Sequence, residues 1–288
     1  MSAYSEHYFT AQDGVRTYYR RYPGERAAGR APVLCMHGLT RNSRDFEEVA
    51  PRIAAMGRDV VAIDTRGRGR SDRDPNPENY YPVVYVQDVI GLLDQLGWER
   101  LATVGTSMGG LMSMMLAAQR PGALTGAVIN DIGPEIDPKG MARIQGYVGG
   151  SGPFRSWEEA AEAARAINGV AFPNETSDAF WIAFAKRLCR ETQSGEIVLD
   201  YDPAIAKPVE AGDAAPPDLW PVFDALKPVP LLVVRGEISD ILSTETTQTM
   251  AERHPDLRLA EVPAVGHAPL LTEPAAWSAI ETFFSEIA

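Results

Sequence analysis

A series of short stretches in this chain are apolar through their middles instead of alternating apolar with polar. They read PVLCMHG (32–38), DVVAIDTRG (59–67), LATVGTS (101–107), TGAVINDIG (125–133) and VPLLVVRGE (229–237). A strand that alternates can keep one face in water. A strand apolar on both sides needs cover on both faces, which is the condition of a strand inside a parallel sheet. Between these runs lie segments with apolar residues three or four apart: RDFEEVAPRIAA (44–55), YVQDVIGLLDQLG (85–97) and GGLMSMMLAAQRPG (109–122). Gly97 and the pair Pro121-Gly122 close the last two as helix stops. LRLAEVP (257–263) adds one more strand, and AAWSAIETFFSEIA (275–288) ends the chain as an amphipathic helix. Asp13-Gly14 is a turn signal, and VRTYYRRY after it reads as a hairpin strand. Strand and helix in strict succession predict an α/β architecture with helices on both faces of the sheet.

One section breaks the rhythm. Residues 134–219 contain no clear buried strand. They carry helical patterns in SWEEAAEAARAI (156–167) and DAFWIAFAKRLCRE (178–191), then the proline-rich DAAPPDLWP (213–221). We read this as an inserted, mostly helical cap, with residues 1–133 and 220–288 forming the core.

Composition narrows the function. A net charge of −12 on 288 residues repels phosphate backbones, so nucleic acid is not an expected partner. No apolar stretch reaches the ~18 residues of a membrane span. The N-terminus MSAYSEHYFTAQDG has neither a basic start nor an apolar centre, so no signal peptide is expected. Cys35 and Cys189 stand far apart and outside any metal-ligand spacing. Two free thiols fit a reducing compartment, so the expected location is cytoplasmic.

The chemistry centres on VGTSMGG (104–110). Ser107 follows a buried strand and precedes an apolar helix, the context in which a Gly-x-Ser-x-Gly run forms a nucleophile elbow. The serine takes a strained conformation there, Gly105 and Gly109 leave room for close packing, and the Met108 amide at the helix start can stabilise an oxyanion. A serine nucleophile needs a base and a group to orient that base. Of four histidines, His7 lies in the N-terminal tail, His37 ends a strand upstream, and His254 sits at a helix end in ERHPDL, where we expect it solvated. His267, in AVGHAPLLTEP after the last strand, is the expected base. Loops at the carboxyl ends of parallel strands are where such sheets place their sites. Two aspartates qualify as the acid by that criterion: Asp240 after the penultimate strand, which we take as the first choice, and Asp131 after the strand that follows the elbow.

With these residues in hand the chain resembles the α/β-hydrolase family. The motifs are HG (37–38), DTRGRGRS (64–71), GTSMGG (105–110), RGEISD (235–240) and GHAP (266–269), in that order. The resemblance covers nearly everything outside the cap. It implies an eight-stranded, mostly parallel sheet, a helical cap over the site, and no cofactor or metal. It carries over Ser107 as nucleophile, Asp240 as acid, His267 as base, and the amides of Leu39 and Met108 as oxyanion hole. Some members take the acid from the earlier strand, which keeps Asp131 in place as the alternative. His37 becomes a brace for its loop, and RGRGR (66–70) part of a family loop instead of a nucleic-acid patch.

The expected activity is therefore that of a serine hydrolase, a carboxylic ester hydrolase, acting through an acyl-enzyme on a small to medium ester, lactone or related carbonyl compound. A carbon–carbon bond hydrolase of a vinylogous diketone, a cofactor-free haloperoxidase or perhydrolase, and a non-turnover ligand receptor remain as alternatives on the same scaffold. The cap should set the substrate. Trp181 and Phe184, three apart on one helical face, are the candidates for its pocket wall. Arg41 and Arg44 follow Leu39 closely, and Arg41 is the candidate for meeting a substrate carboxylate.

Overall fold

Every run expected as a core strand joins one sheet. A computed structural model describes residues 4–24, 29–150, 152–207 and 218–287. The sheet holds β1 (Ser5–Thr10), β2 (Arg16–Tyr22), β3 (Val33–Met36), β4 (Val60–Ile63), β5 (Leu101–Thr106), β6 (Leu124–Asn130), β9 (Leu231–Gly236) and β10 (Leu257–Val262). Their order is β1-β2-β4-β3-β5-β6-β9-β10. β1 pairs antiparallel with β2 and β2 antiparallel with β4, and every pairing beyond is parallel.

The apolar runs divide their side chains between two helical layers with the two-residue period of a strand. Val33 and Cys35 in β3, Val60 and Ala62 in β4, and Leu232 and Val234 in β9 pack with α1 (Val49–Ala55) and the last helix, α9 (Pro274–Glu286). Leu34 and Met36, Val61 and Ile63, and Leu231 and Val233 pack on the other side with α2 (Pro82–Leu96), α3 (Met108–Gln119) and Met250 of α8 (Thr244–Arg253). All of β3 is inaccessible to solvent, which is why its sequence shows no polar alternation. Gly97 closes α2 in a left-handed conformation at φ 67°, as its place in the sequence predicts.

Four local expectations change. The N-terminal tail that holds His7 is a strand: β1 was unmarked by any apolar run because it is a largely exposed edge strand, and there His7 stacks on Tyr19 at 5.1 Å. Residues 44–55 are not one helix but a 3-10 turn at Ser43–Phe46 followed by α1. His254 is buried, with Nε2 bonded to the Leu226 carbonyl at 2.9 Å, because the chain after α8 folds back beneath the short helix α7 (Trp220–Asp224). The helix expected over 178–191 stops at Leu188, and Cys189 opens a hairpin.

The segment expected as a cap contains, among its described residues, α4 (Pro138–Tyr147), α5 (Trp157–Asn168), α6 (Asp178–Leu188) and the two-stranded hairpin β7 (Cys189–Glu191) and β8 (Ile197–Leu199). The hairpin turns at Gly195, whose φ of 83° suits a residue without Cβ. Most of the proline-rich run DAAPPDLWP lies outside the described residues. The cap is tied to the core by polar contacts. Arg44 Nη2 donates to Asp200 at 2.5 Å, Asn42 donates to the Arg187 carbonyl at 2.9 Å, and the Tyr80 hydroxyl donates to Asp202 at 2.7 Å.

The arginines of the basic run RGRGR are all engaged by the fold, two of them buried and Arg70 at the surface. Arg66, almost wholly buried, pairs with Asp13, Asp74 and Asp88. Arg68 donates from Nε to the Leu39 carbonyl at 2.9 Å and from Nη1 to the Tyr85 hydroxyl at 2.8 Å. Arg70 pairs with Glu6. Among the described residues no helix is long and apolar enough to cross a membrane.

Candidate active site

The corner at Ser107 is strained in the way its sequence predicts. Ser107 has φ 52° and ψ −116°, a conformation that costs a residue with a Cβ of order 1–3 kcal/mol. It lies between the last residue of β5 and the first of α3. The close packing that holds it there leaves no room for side chains on either flank: a Cβ on Gly105 would stand 2.2 Å from the Gly109 carbonyl oxygen, and one on Gly109 would stand 2.0 Å from that of Met36. Met108 is the first residue of α3, so its N–H is one of the helix's unpaired N-terminal donors.

His267 meets the serine. Its Nε2 lies 3.0 Å from Ser107 Oγ, and its Nδ1 lies 2.8 Å from Asp131 Oδ2. A carboxylate only accepts, so Nδ1 carries the proton and Nε2 is left to accept from the serine hydroxyl. Asp131, not Asp240, is therefore the carboxylate that faces the imidazole. Asp131 is wholly buried and is held by two further donors, the Gly236 amide at the end of β9 at 2.8 Å and the Ser239 hydroxyl in the loop that follows at 2.6 Å. Asp240 points its carboxylate elsewhere. Both of its oxygens accept from Arg143 of α4, at 2.5 and 2.8 Å. Partial burial alone would raise the Asp240 pKa, but the hydrogen bonds and charge of Arg143 outweigh it and hold the carboxyl below its ordinary value.

His37 behaves as a brace. Its Nε2 accepts from the Thr65 amide at 3.0 Å and its Nδ1 donates to the Gly38 carbonyl at 2.7 Å. Burial drives its pKa down to about 4, so it stays neutral at pH 7 and keeps both bonds. The loop it supports leads into Leu39, whose carbonyl is fixed by Arg68.

Between the sheet edge and the cap lies a cavity of about 130 Å³. Ser107, His267, Gly38 and Leu39 form its floor, and residues of α5, α6 and the hairpin, among them Ala164, Phe184 and Leu199, form its roof. Phe184 stands where expected. Trp181 does not: it is 2 % exposed and packs inside the cap against Phe172, Phe180 and Phe184, its indole N–H donating to the Glu175 carbonyl. Spacing of three placed both residues on one face of α6, but the cap's own aromatic core claimed the tryptophan. Arg41 does line the cavity, with Nε and Nη2 already bonded to Asp45 at 2.8 and 2.6 Å. Arg44 is committed to Asp200 and Asn42.

A family profile for the alpha/beta hydrolase fold matches residues 31–274. This chain belongs to the α/β-hydrolase fold family. It is 35 % identical, over 88 % of both chains, to the 3-hydroxybutyrate-oligomer hydrolase of Cupriavidus necator. It is 31 % identical, over 84 % of both, to the 2-(acetamidomethylene)succinate hydrolase of Mesorhizobium japonicum. The crystal structure of an alpha/beta hydrolase from Novosphingobium aromaticivorans superposes with a TM-score of 0.93 at 45 % identity, covering 99 % of each chain.

Within this α/β hydrolase, three supporting residues escaped the sequence reading. Ser239, beside the favoured Asp240, orients Asp131 instead. Asn130 donates to Thr106 Oγ1 at 3.1 Å and to the Pro269 carbonyl at 2.8 Å, joining the ends of β5 and β6 to the His267 loop. Arg68 reaches Leu39 from 29 residues away. Asn130 and Ser239 did leave a signal, as polar residues adjoining the two candidate aspartates. Arg68 left none, because nothing local couples it to Leu39.

Proposed function

We propose that this α/β hydrolase is a carboxylic ester hydrolase that works through a Ser107 acyl-enzyme. The observation that carries the reading is the continuous relay from Asp131 through His267 to Ser107, at 2.8 and 3.0 Å. Ser107 Oγ attacks the ester carbonyl carbon as His267 Nε2 takes its proton. Asp131, with its three hydrogen bonds, keeps the imidazole in the correct tautomer and stabilises the imidazolium. The amides of Leu39 and Met108 receive the developing oxyanion, and loss of one such donor costs about 3 kcal/mol of barrier. Collapse of the tetrahedral intermediate expels the alcohol, which takes the proton from His267. Water, activated by the same imidazole, then releases the acid and restores Ser107. Asp240 has no part in these steps.

The size of the cavity and its mixed lining suit a short ester. The relative that hydrolyses 3-hydroxybutyrate oligomers supports the same substrate class, small esters of hydroxy acids. A fluorophosphonate probe should label Ser107 stoichiometrically, and short activated esters should show a burst of alcohol release followed by steady turnover. Ser107→Ala should abolish labelling, burst and turnover. Undiminished ester hydrolysis by Ser107→Ala would overturn the reading, and peroxide-dependent turnover in place of hydrolysis would redirect it to perhydrolase chemistry.

A further inference from the structure

The cavity above Ser107 has an unbalanced charge in its wall. Among the described residues, two guanidinium groups line it, Arg41 and Arg187, together with a single carboxylate, Asp45. Asp45 is not shared evenly. Arg41 grips both of its oxygens, and the Arg41 guanidinium also lies over the Phe184 ring at 4.5 Å. Burial alone would raise the Asp45 pKa. Arg41 reverses that effect and Arg187 adds to the reversal, so Asp45 stays ionised and Arg41 is neutralised by it.

Arg187 is the residue left over. It sits at the end of α6, and its backbone carbonyl accepts from Asn42, which pins that end of the cap to the core. Its Nε is buried without a hydrogen-bond partner. Among the described residues its one ion pair is a 3.4 Å contact from Nη1 to Glu48, a side chain 66 % exposed to solvent. An ion pair of that kind is screened by water and contributes little. A buried N–H without an acceptor is by contrast costly. Arg187 nevertheless lines the cavity with 17 % of its side chain accessible, so an acceptor there meets a guanidinium whose ion pairing among the described residues is weak. A guanidinium presents paired donors that match the two oxygens of a carboxylate.

We propose that Arg187 is the specificity-determining residue of the site, and that the preferred substrates are short esters carrying a free carboxylate, which the guanidinium binds while Ser107 attacks the ester group. The proposal rests on the acyl-enzyme reading and narrows its substrate class. It also moves the carboxylate-binding role from Arg41, whose fork is occupied by Asp45, to a cap residue. The cap then selects for charge as well as for size, in a chain whose net charge of −12 would otherwise discourage anions.

Two matched ester pairs test this. One places the carboxylate on the acyl side: 4-nitrophenyl hydrogen glutarate against its methyl-capped diester. The other places it on the alcohol side: 3-butyryloxybutyrate against its methyl ester. For the wild type, at least one pair should favour the free acid by roughly tenfold or more in kcat/KM, as expected for a charge-assisted hydrogen bond. The preference should reside in KM. It should collapse toward unity in Arg187→Gln and survive in part in Arg187→Lys, which keeps the charge and loses the fork. A ratio within one protein is insensitive to how much of that protein is active, and the lysine variant preserves the charge if the glutamine variant folds poorly. Equal rates for acid and capped ester in both pairs would overturn the proposal, as would a wild-type preference that Arg187→Gln retains. Ser107→Ala in the same assay separates the two levels: residual hydrolysis there defeats the acyl-enzyme reading, whereas a flat acid-to-capped ratio with Ser107 required defeats only the role of Arg187.

Discussion

The loops after β6 and β9 both place an aspartate at the carboxyl edge of the sheet, and they treat it in opposite ways. Asp131 follows β6 directly, is inaccessible to solvent, and has its position set by the Gly236 amide, the Ser239 hydroxyl and the His267 ring. Asp240 follows β9 at a remove of four residues, keeps 29 % of its side chain exposed, and pairs with a cap arginine. The end of β9 and the loop after it thus supply donors to the carboxylate that faces the imidazole, while the loop's own aspartate faces Arg143. What qualifies a carboxylate to orient an imidazole is a site that removes water and replaces it with fixed hydrogen-bond donors. Proximity to a strand end is not enough. A charge buried without such donors would be expelled or neutralised, so the donors from Gly236 and Ser239 are what make Asp131 tenable.

That contrast can be broken by experiment. Asp131→Asn should lower ester turnover by about 10⁴-fold, as loss of the orienting carboxylate does in serine triads, while Asp240→Asn should stay within a few-fold of wild type. Steady-state kcat on an activated ester reads both, and a reversal would hand the role to Asp240. A milder variant sharpens the comparison. Ser239→Ala removes one of the donors on Asp131 and leaves the Gly236 amide, so kcat should fall about tenfold, the worth of a single hydrogen bond to a charged group. An unchanged kcat would mean that burial and the amide alone hold the carboxylate.

The smallest effect belongs to the other aspartate. Arg143 holds the Asp240 carboxyl below its ordinary value against the opposing effect of burial. The pair therefore stabilises the fold above the unfolded carboxyl's pKa of about 3.9, and that stability is lost as the pH falls through the lower folded value. Because both partners remain in partial contact with solvent, its worth is under about 1 kcal/mol. Urea midpoints for wild type and Asp240→Asn should differ slightly at pH 7, and the difference should shrink progressively as the pH falls below about 3.9. A large difference that does not shrink there would show that Asp240 is structural for reasons other than its charge.

Much of the fold was legible because it rests on repetitive local requirements. Strands buried on both faces must be apolar on both faces, and the helices covering them must be amphipathic, so β3 to β6, β9 and the helices between them stand out as patterns. The edge strand β1 and the cap hairpin carry no such mark: β1 is largely exposed, and Cys189 continues a helical spacing that only the turn at Gly195 interrupts. The elbow was legible for a related reason. A strained serine between a strand and a helix demands small neighbours at set positions, and Gly105 and Gly109 record that demand.

The architecture, the strained corner at Ser107 and the histidine that could serve it were legible in the chain, because each depends on residues close together or on the order of elements. The tertiary contacts set Asp131 against the His267 ring and Asp240 against Arg143, buried Trp181 among other aromatic rings, and left Arg187 lining the cavity with an ion-pair partner that is itself exposed. Those outcomes depend on which groups from distant segments arrive to share a desolvated space. Arg143 of the cap captured Asp240, Ser239 turned toward Asp131, and Asp45 satisfied Arg41 but not its neighbour. Hydrogen-bond satisfaction in a buried site is settled by geometry among residues far apart in the chain, and no local pattern encodes it.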